Sequence, residues 1–227
     1  MARRKKNKQE EEVLVDIVEV RDNFQGFYEK NQRIIWGTLI GLVVLVGGYL
    51  VYSSLYMKPR EKEAMAQMYQ AQLQFERDSF ANALTSPGSM FPGFLGIQEQ
   101  YGGTKAANLA NYYIGVSYLN LGKFEAAADY LKSYNANSPE MTIMKNGALG
   151  DAYSELQDMD QAMSYYKKAA NSDNDLLTPY YLKKVGMLHE RNGNTAAAAD
   201  AYQKIKDEYP QSAEGREIDK FLAKTQG

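Results

Sequence analysis

Ile114-Gly115-Val116-Ser117-Tyr118, followed by Gly122, Ala127-x3-Leu131 and Pro139, sets a phrase that the chain repeats twice more. Leu149-Gly150-Asp151-Ala152-Tyr153 leads to Ala162-x3-Tyr166. Val185-Gly186-Met187-Leu188-His189 leads to Gly193, Ala198-x3-Tyr202 and Pro210. The leading glycines stand 35 and 36 residues apart. A period of that length predicts stacked pairs of antiparallel helices, because one pair alone cannot bury its apolar faces. In each unit the glycine lets one helix approach the next, and Ala127, Ala162 and Ala198 do the same for the second helix. Tyr118, Leu131, Tyr153, Tyr166 and Tyr202 fill the space between. Gly122-Lys123 and Asn192-Gly193-Asn194 supply turns. Pro139 and Pro210 are expected to stop the second helices.

The phrase resembles the tetratricopeptide repeat, W-x2-L-G-x2-Y, then A-x3-F, then P. The tryptophan is missing, with Asn111, Asn146 and Leu182 in its place. The fold class is therefore all-α: a single transmembrane helix followed by a solenoid of about three to four helix pairs. Repeats are expected near 61–103, 108–139, 143–174 and 179–210, with a capping helix over 213–225 that uses Ile218 and Leu222. In the degenerate first unit, Glu61 to Leu84 reads as one long helix with Ala64, Met68, Ala71, Phe75 and Ala83 on one face. Pro87-Gly88, Pro92-Gly93 and Gly102-Gly103 interrupt the chain beyond it, leaving a short helix over Phe94 to Tyr101.

Upstream, Ile34 to Met57 is a run of 24 residues without a charge. At 1.5 Å rise per residue, about 20 apolar residues cross the hydrocarbon core. Trp36 stands near one end and Tyr49, Tyr52 and Tyr56 near the other, where amphipathic rings favour the headgroup layer. With 33 residues before it, the run reads as an uncleaved signal anchor rather than a signal peptide. Arg3, Arg4, Lys5, Lys6 and Lys8 in the short tail favour a cytoplasmic amino terminus and an external large domain. Glu10, Glu11 and Glu12 cancel that basic cluster as a nucleic-acid patch. Leu14, Ile17, Val18, Phe24 and Tyr28 suggest a short amphipathic helix in the tail. The parts are thus a tail over 1–33, an anchor over 34–57 and an outer domain over 58–227. Gly37 and Gly41 have the spacing of a membrane-helix contact.

Composition excludes much chemistry. The 227 residues hold no cysteine, one histidine and 18 tyrosines, with a net charge of −2. Thiolate zinc sites, cysteine nucleophiles and paired-histidine metal sites are excluded. His189 takes a tyrosine position of the template and reads as a packed residue. Asp158, Asp160, Asp173 and Asp175 lack the EF-hand spacing, and Gly102-Gly103-Thr104-Lys105 lacks that of the P-loop. Thr104 reads instead as a helix cap. From Lys58 on, 18 basic and 21 acidic residues leave a net −3, so nucleic acid is not an expected partner. No catalytic residue, metal or cofactor is expected. The expected activity is protein binding.

First helices of such pairs line the concave face of a solenoid. Counting along them places Tyr112, Val116, Leu119, Asp151, Glu155, Lys183, Met187 and Arg191 in a groove suited to an extended peptide or a partner's helix. The carboxylate clamp of chaperone-binding repeats requires a basic and asparagine set, and Tyr112 and Asp151 depart from it.

The layout as a whole resembles the family of YfgM-like ancillary subunits of the SecYEG translocon. The likeness rests on Val18-Glu19-Val20-Arg21-Asp22-Asn23-Phe24, Glu29-Lys30-Asn31, the glycine-rich anchor and Gly102-Gly103-Thr104-Lys105-Ala106-Ala107-Asn108-Leu109-Ala110. Tyr112-Tyr113-Ile114-Gly115 and Tyr118-Leu119-Asn120-Leu121-Gly122 look like the version found in Bacteroidota. The resemblance implies a single-pass bacterial inner-membrane protein with a periplasmic repeat domain. It further implies a SecYEG-type translocon, a membrane-anchored periplasmic prolyl-isomerase chaperone and nascent or unfolded secreted proteins as partners. The repeats themselves leave another envelope scaffold open, serving outer-membrane biogenesis, secretion or cell division.

Overall fold

The computed structural model describes residues 2–86 and 91–225, with side chains from Phe27 onward. The expected Pro87-Gly88 break and the amphipathic face of 14–26 lie outside the described residues. Among the described residues every regular element is helical, and the chain divides into two units, 1–58 and 59–227.

The first unit is built on helix α1 (Ala2–Tyr52), closed by a π turn over Ser53–Met57. The cause of that turn is in the sequence. Pro59 has no N–H to give to the carbonyl four residues back, and the ladder before it widens. The Lys58 N–H accordingly bonds to the Ser53 carbonyl, five residues back. Ile34, Val43 and Leu45 are all more than 65% exposed. No part of the most apolar stretch is buried, and this helix is long and apolar enough to cross a membrane. Gly37 and Gly41 have open space where a Cβ would stand.

In the second unit, helices α2 (Lys58–Glu76), α3 (Phe80–Thr85) and α4 (Gly93–Gln100) precede three helix pairs. The pairs are α5/α6 (Lys105–Asn120, Phe124–Ser133), α7/α8 (Pro139–Glu155, Met159–Ala170) and α9/α10 (Leu177–Arg191, Thr195–Glu208). A 3-10 turn (Gly215–Glu217) and α11 (Asp219–Thr225) close the stack, with Ile218 and Leu222 buried.

The three pairs use one packing device. A Cβ on Gly115 would fall 2.5 Å from Leu131 Cγ, on Gly150 2.4 Å from Tyr166 Cδ1, and on Gly186 2.2 Å from Tyr202 Cε1. Those distances are shorter than a Cβ contact normally comes, so a side chain at any of the three crossings forces its partner to shift. Ala127, Ala162 and Ala198 are fully buried beside them. Tyr118 and Tyr153 meet Tyr130 and Tyr165 at ring separations of 5.6 and 5.5 Å.

Helix starts obey capping chemistry. Thr104, Ser138, Asp158 and Asn194 each accept from the backbone N–H three residues on. Asp158 is thus a cap. Pro139 does not stop α6, which ends at Ser133; it opens α7, where its missing N–H costs nothing. Pro210 does lie just past the end of α10.

The first unit of the stack departs from the single long helix expected over 61–84. The Arg77 and Ser79 N–H groups both turn back to the Gln74 carbonyl, and Asp78 adopts φ 56°. Aspartate tolerates that left-handed conformation, so α2 ends there and α3 starts anew. The bend brings Phe75 edge-on to Phe80 at 5.4 Å and to Tyr113 at 5.1 Å. Ala64, Met68, Ala71 and Ala83 are buried as the periodicity requires, with Phe75 packed against them. The Glu61 carboxylate accepts from the Lys105 and Ala106 N–H groups at 2.6 and 3.1 Å, so α2 caps α5 from outside.

Candidate functional site

Helices α5, α7 and α9 share one side of the stack and enclose two open clefts there. The first, of about 680 Å³, runs between Leu119, Asp151, Glu155, Lys184, Met187 and Arg191. The second, of about 550 Å³, is lined by Tyr112, Val116, Leu119, Asp151, Tyr180 and Leu176, with Glu214 on its rim. Leu119, Asn120 and Asp151 belong to both.

Asp151 is the polar centre. It forms an ion pair with Lys184, and its Oδ1 also accepts from the Tyr166 hydroxyl at 2.6 Å. Lys184 Nζ lies 5.4 Å from the Tyr166 ring centroid and 5.2 Å from that of Tyr180. Burial, the largest single influence, lowers the Lys184 pKa, but the Asp151 charge and hydrogen bond together with Tyr180 outweigh it, and the net shift is upward. Burial, reinforced by that carboxylate, raises the Tyr166 and Tyr181 phenols well above their ordinary range. The Tyr112 phenol is pushed up to about 12, by burial first and then by Tyr113 and Tyr134. All three tyrosines stay neutral at physiological pH and present rings and O–H groups, not charge.

The structure brings seven of the eight expected groove residues to these clefts. Tyr112 forms a buried floor rather than a projecting anchor, with its ring 5.5 Å from Tyr134. Met187 is half exposed, and Arg191 donates to Gln157 Oε1 at 2.6 Å. Lys183 is the exception. It pairs with Glu217 of the closing turn and lies 4.8 Å from the Phe221 ring. Its place, three residues before the unit glycine, packs toward the next unit along the stack, as Tyr112 does in α5 against Ala148 and Leu149 while it floors the second cleft. Gly147 occupies the same place in α7, and a Cβ there would meet Tyr181 at 2.0 Å. For α9 the next element is the cap, so Lys183 serves the cap.

Lys184, Tyr180 and Leu176 join the site without having been expected there. Tyr180 and Lys184 stand four residues apart on one helix face, which is a legible signal. Leu176 belongs to the loop before α9, where helical counting says nothing. His189 keeps a depressed pKa through burial and the Lys167 charge. Among the described residues no group of three or more histidine or acidic side chains is placed to hold a metal ion.

Residues 109–140 and 148–213 match the tetratricopeptide repeat. The chain contains tetratricopeptide repeats. No curated protein matches it. The matched stretches hold most of α5 to α10, so both clefts are built largely from tetratricopeptide first helices, the side by which such repeats commonly hold protein partners.

Proposed function

We propose that the chain is a non-enzymatic, single-pass interaction protein of the bacterial inner membrane. The tail, 1–33, stays in the cytoplasm, the anchor spans at 34–57, and the repeat domain, 58–227, works in the periplasm. There it serves as an accessory subunit of a SecYEG-type translocon, linking emerging proteins to a membrane-anchored prolyl-isomerase chaperone. Tyr112, Val116, Leu119, Asp151, Glu155, Met187 and Arg191 bind protein, and Gly37 and Gly41 meet a neighbouring membrane helix.

One observation carries this reading: an exposed, charge-free helical stretch and a repeat groove on the same chain. The first suits a bilayer, and the second suits a polypeptide. The basic tail and the resemblance to translocon subunits support the orientation and the partner. Mild solubilisation, affinity capture and mass spectrometry test it. Translocon subunits are expected; an outer-membrane assembly complex in their place overturns the assignment. Cysteine at Ser133 or Ser172 is expected to react with an impermeant maleimide in spheroplasts, whereas cysteine at Asn7 stays unlabelled. The reverse pattern inverts the topology.

A further inference from the structure

The groove's own chemistry narrows what it takes. Few large apolar side chains of the repeat unit are exposed. Among its described residues they are Met65, Tyr69, Leu121, Leu176, Tyr180 and Met187. Three of these line the clefts, and Leu121 lies between the lining residues Asn120 and Gly122. Leu176 is 75% exposed, Met187 48% and Tyr180 42%. Apolar surface gathered at the mouth of a cleft marks a docking place for apolar side chains.

The charges point the same way. Lys184 is the cation nearest the centre, and Asp151 already holds it. Glu155 and Glu214 add two carboxylates, and Arg191 adds one guanidinium. Summed over both clefts, acidic groups outnumber basic ones. A partner's carboxylate arriving here meets a lysine already neutralised and two further acidic neighbours, against Arg191, whose guanidinium is bonded to the neutral Gln157 amide. A neutral or basic segment meets no such penalty.

We propose that the two clefts together accept an extended segment carrying bulky apolar side chains with neutral or basic flanks. We further propose that Asp151 sets this preference by occupying Lys184. The inference rests on the proposed groove function and adds the class of peptide. Leu176 and Tyr180 receive the apolar side chain in the second cleft. The Asp151–Lys184 pair separates it from the first cleft, where Met187 provides a further apolar contact. Without Asp151, Lys184 becomes a free ammonium, acidic and basic lining groups balance at two each, and the preference for a basic flank is lost.

The test uses the full chain in nanodiscs and two fluorescent decapeptides. Both carry alternating leucine and serine; one is flanked by lysines, the other by glutamates. Fluorescence anisotropy is expected to show the lysine-flanked peptide binding at least about tenfold tighter. Leu176→Ala with Tyr180→Ala should weaken it by about tenfold, since both side chains are exposed and their loss leaves the core intact. Met65→Ala with Tyr69→Ala, away from the clefts, should leave it unchanged. Asp151→Asn should strengthen the glutamate-flanked peptide and weaken the other. Equal affinity of the wild type for both peptides overturns the inference, as does insensitivity to the Leu176/Tyr180 variant. Self-association that displaces the peptides would make a second copy the occupant and overturns it too. Loss of peptide selectivity with translocon capture intact sinks this inference alone. Loss of translocon capture with selectivity intact sinks the functional assignment instead.

Discussion

Leu45 in the anchor is 74% exposed, while Leu131 in α6 is fully buried. Both sit in helices, and both helices belong to units that carry glycine. The difference lies in what the glycines face. Gly115, Gly150 and Gly186 lie against side chains of the paired helix, whereas Gly37, Gly41, Gly47 and Gly48 face nothing within 4 Å. An apolar helix with a partner spends its surface on a protein core, and one without a partner must find another apolar medium. The comparison teaches that burial depends on phase as well as composition. The repeats place apolar residues on one side, and the anchor places them all round.

A charge in the anchor should break this contrast most severely. Leu45→Asp is expected to disfavour insertion by about 2.5–3.5 kcal/mol. Carbonate extraction of membranes should release the variant, while the melting of its repeat unit, followed in the full chain in detergent, stays unchanged.

Gly150→Leu is next. The wedge against Tyr166 should lower the repeat unit's stability by about 1–3 kcal/mol, read by thermal denaturation. Gly41→Leu in the full chain should leave the repeat melt where it was. Equal effects would erase the distinction between the two classes of glycine.

Glu61→Gln sharpens the comparison from the other side, because Glu61 ties α2 to the start of α5. Removing its charge from two backbone N–H groups should lower stability by about 1 kcal/mol, again read from the repeat unit's melt. A silent substitution would detach α2 from the repeat stack.

The smallest effect concerns the cap. Lys183 and Lys220 hold the Glu217 carboxyl down to about 2, below its ordinary value near 4.5. A depressed carboxyl contributes stability above its unfolded value and loses it as pH falls through the folded one. Glu217→Gln should therefore melt slightly lower than the parent at pH 6, and the gap should close between about pH 4.5 and 2. A gap that persists in full at the acid end of that window would assign the effect to packing.

Much of this was legible along the chain. The recurrence of glycine, alanine and an aromatic at fixed offsets required both small residues and their bulky partners, and the crossings at Gly115, Gly150 and Gly186 use them. The expected face of α2 is buried, and Thr104 caps α5. Counting offsets also reached most of the groove. Gly147 is illegible by that route because it stands outside the template phase, in a position that only the neighbouring repeat constrains.

The sequence by itself determined the all-helical class, the repeat phase and a charge-free segment of spanning length. Each depends on short-range periodicity, which a chain carries openly. Tertiary structure decided which of two adjacent lysines enters the groove. Lys183 and Lys184 are one residue apart, hence about 100° apart around α9. That angle separates the cleft from the cap, and the identity of the next packed element tells which is which. It likewise decided that Asp78 divides α2 from α3, that Glu61 reaches Lys105 and Ala106, and that Leu176 overhangs the second cleft. These contacts join residues whose meeting depends on how whole helices stack, and no local period encodes that.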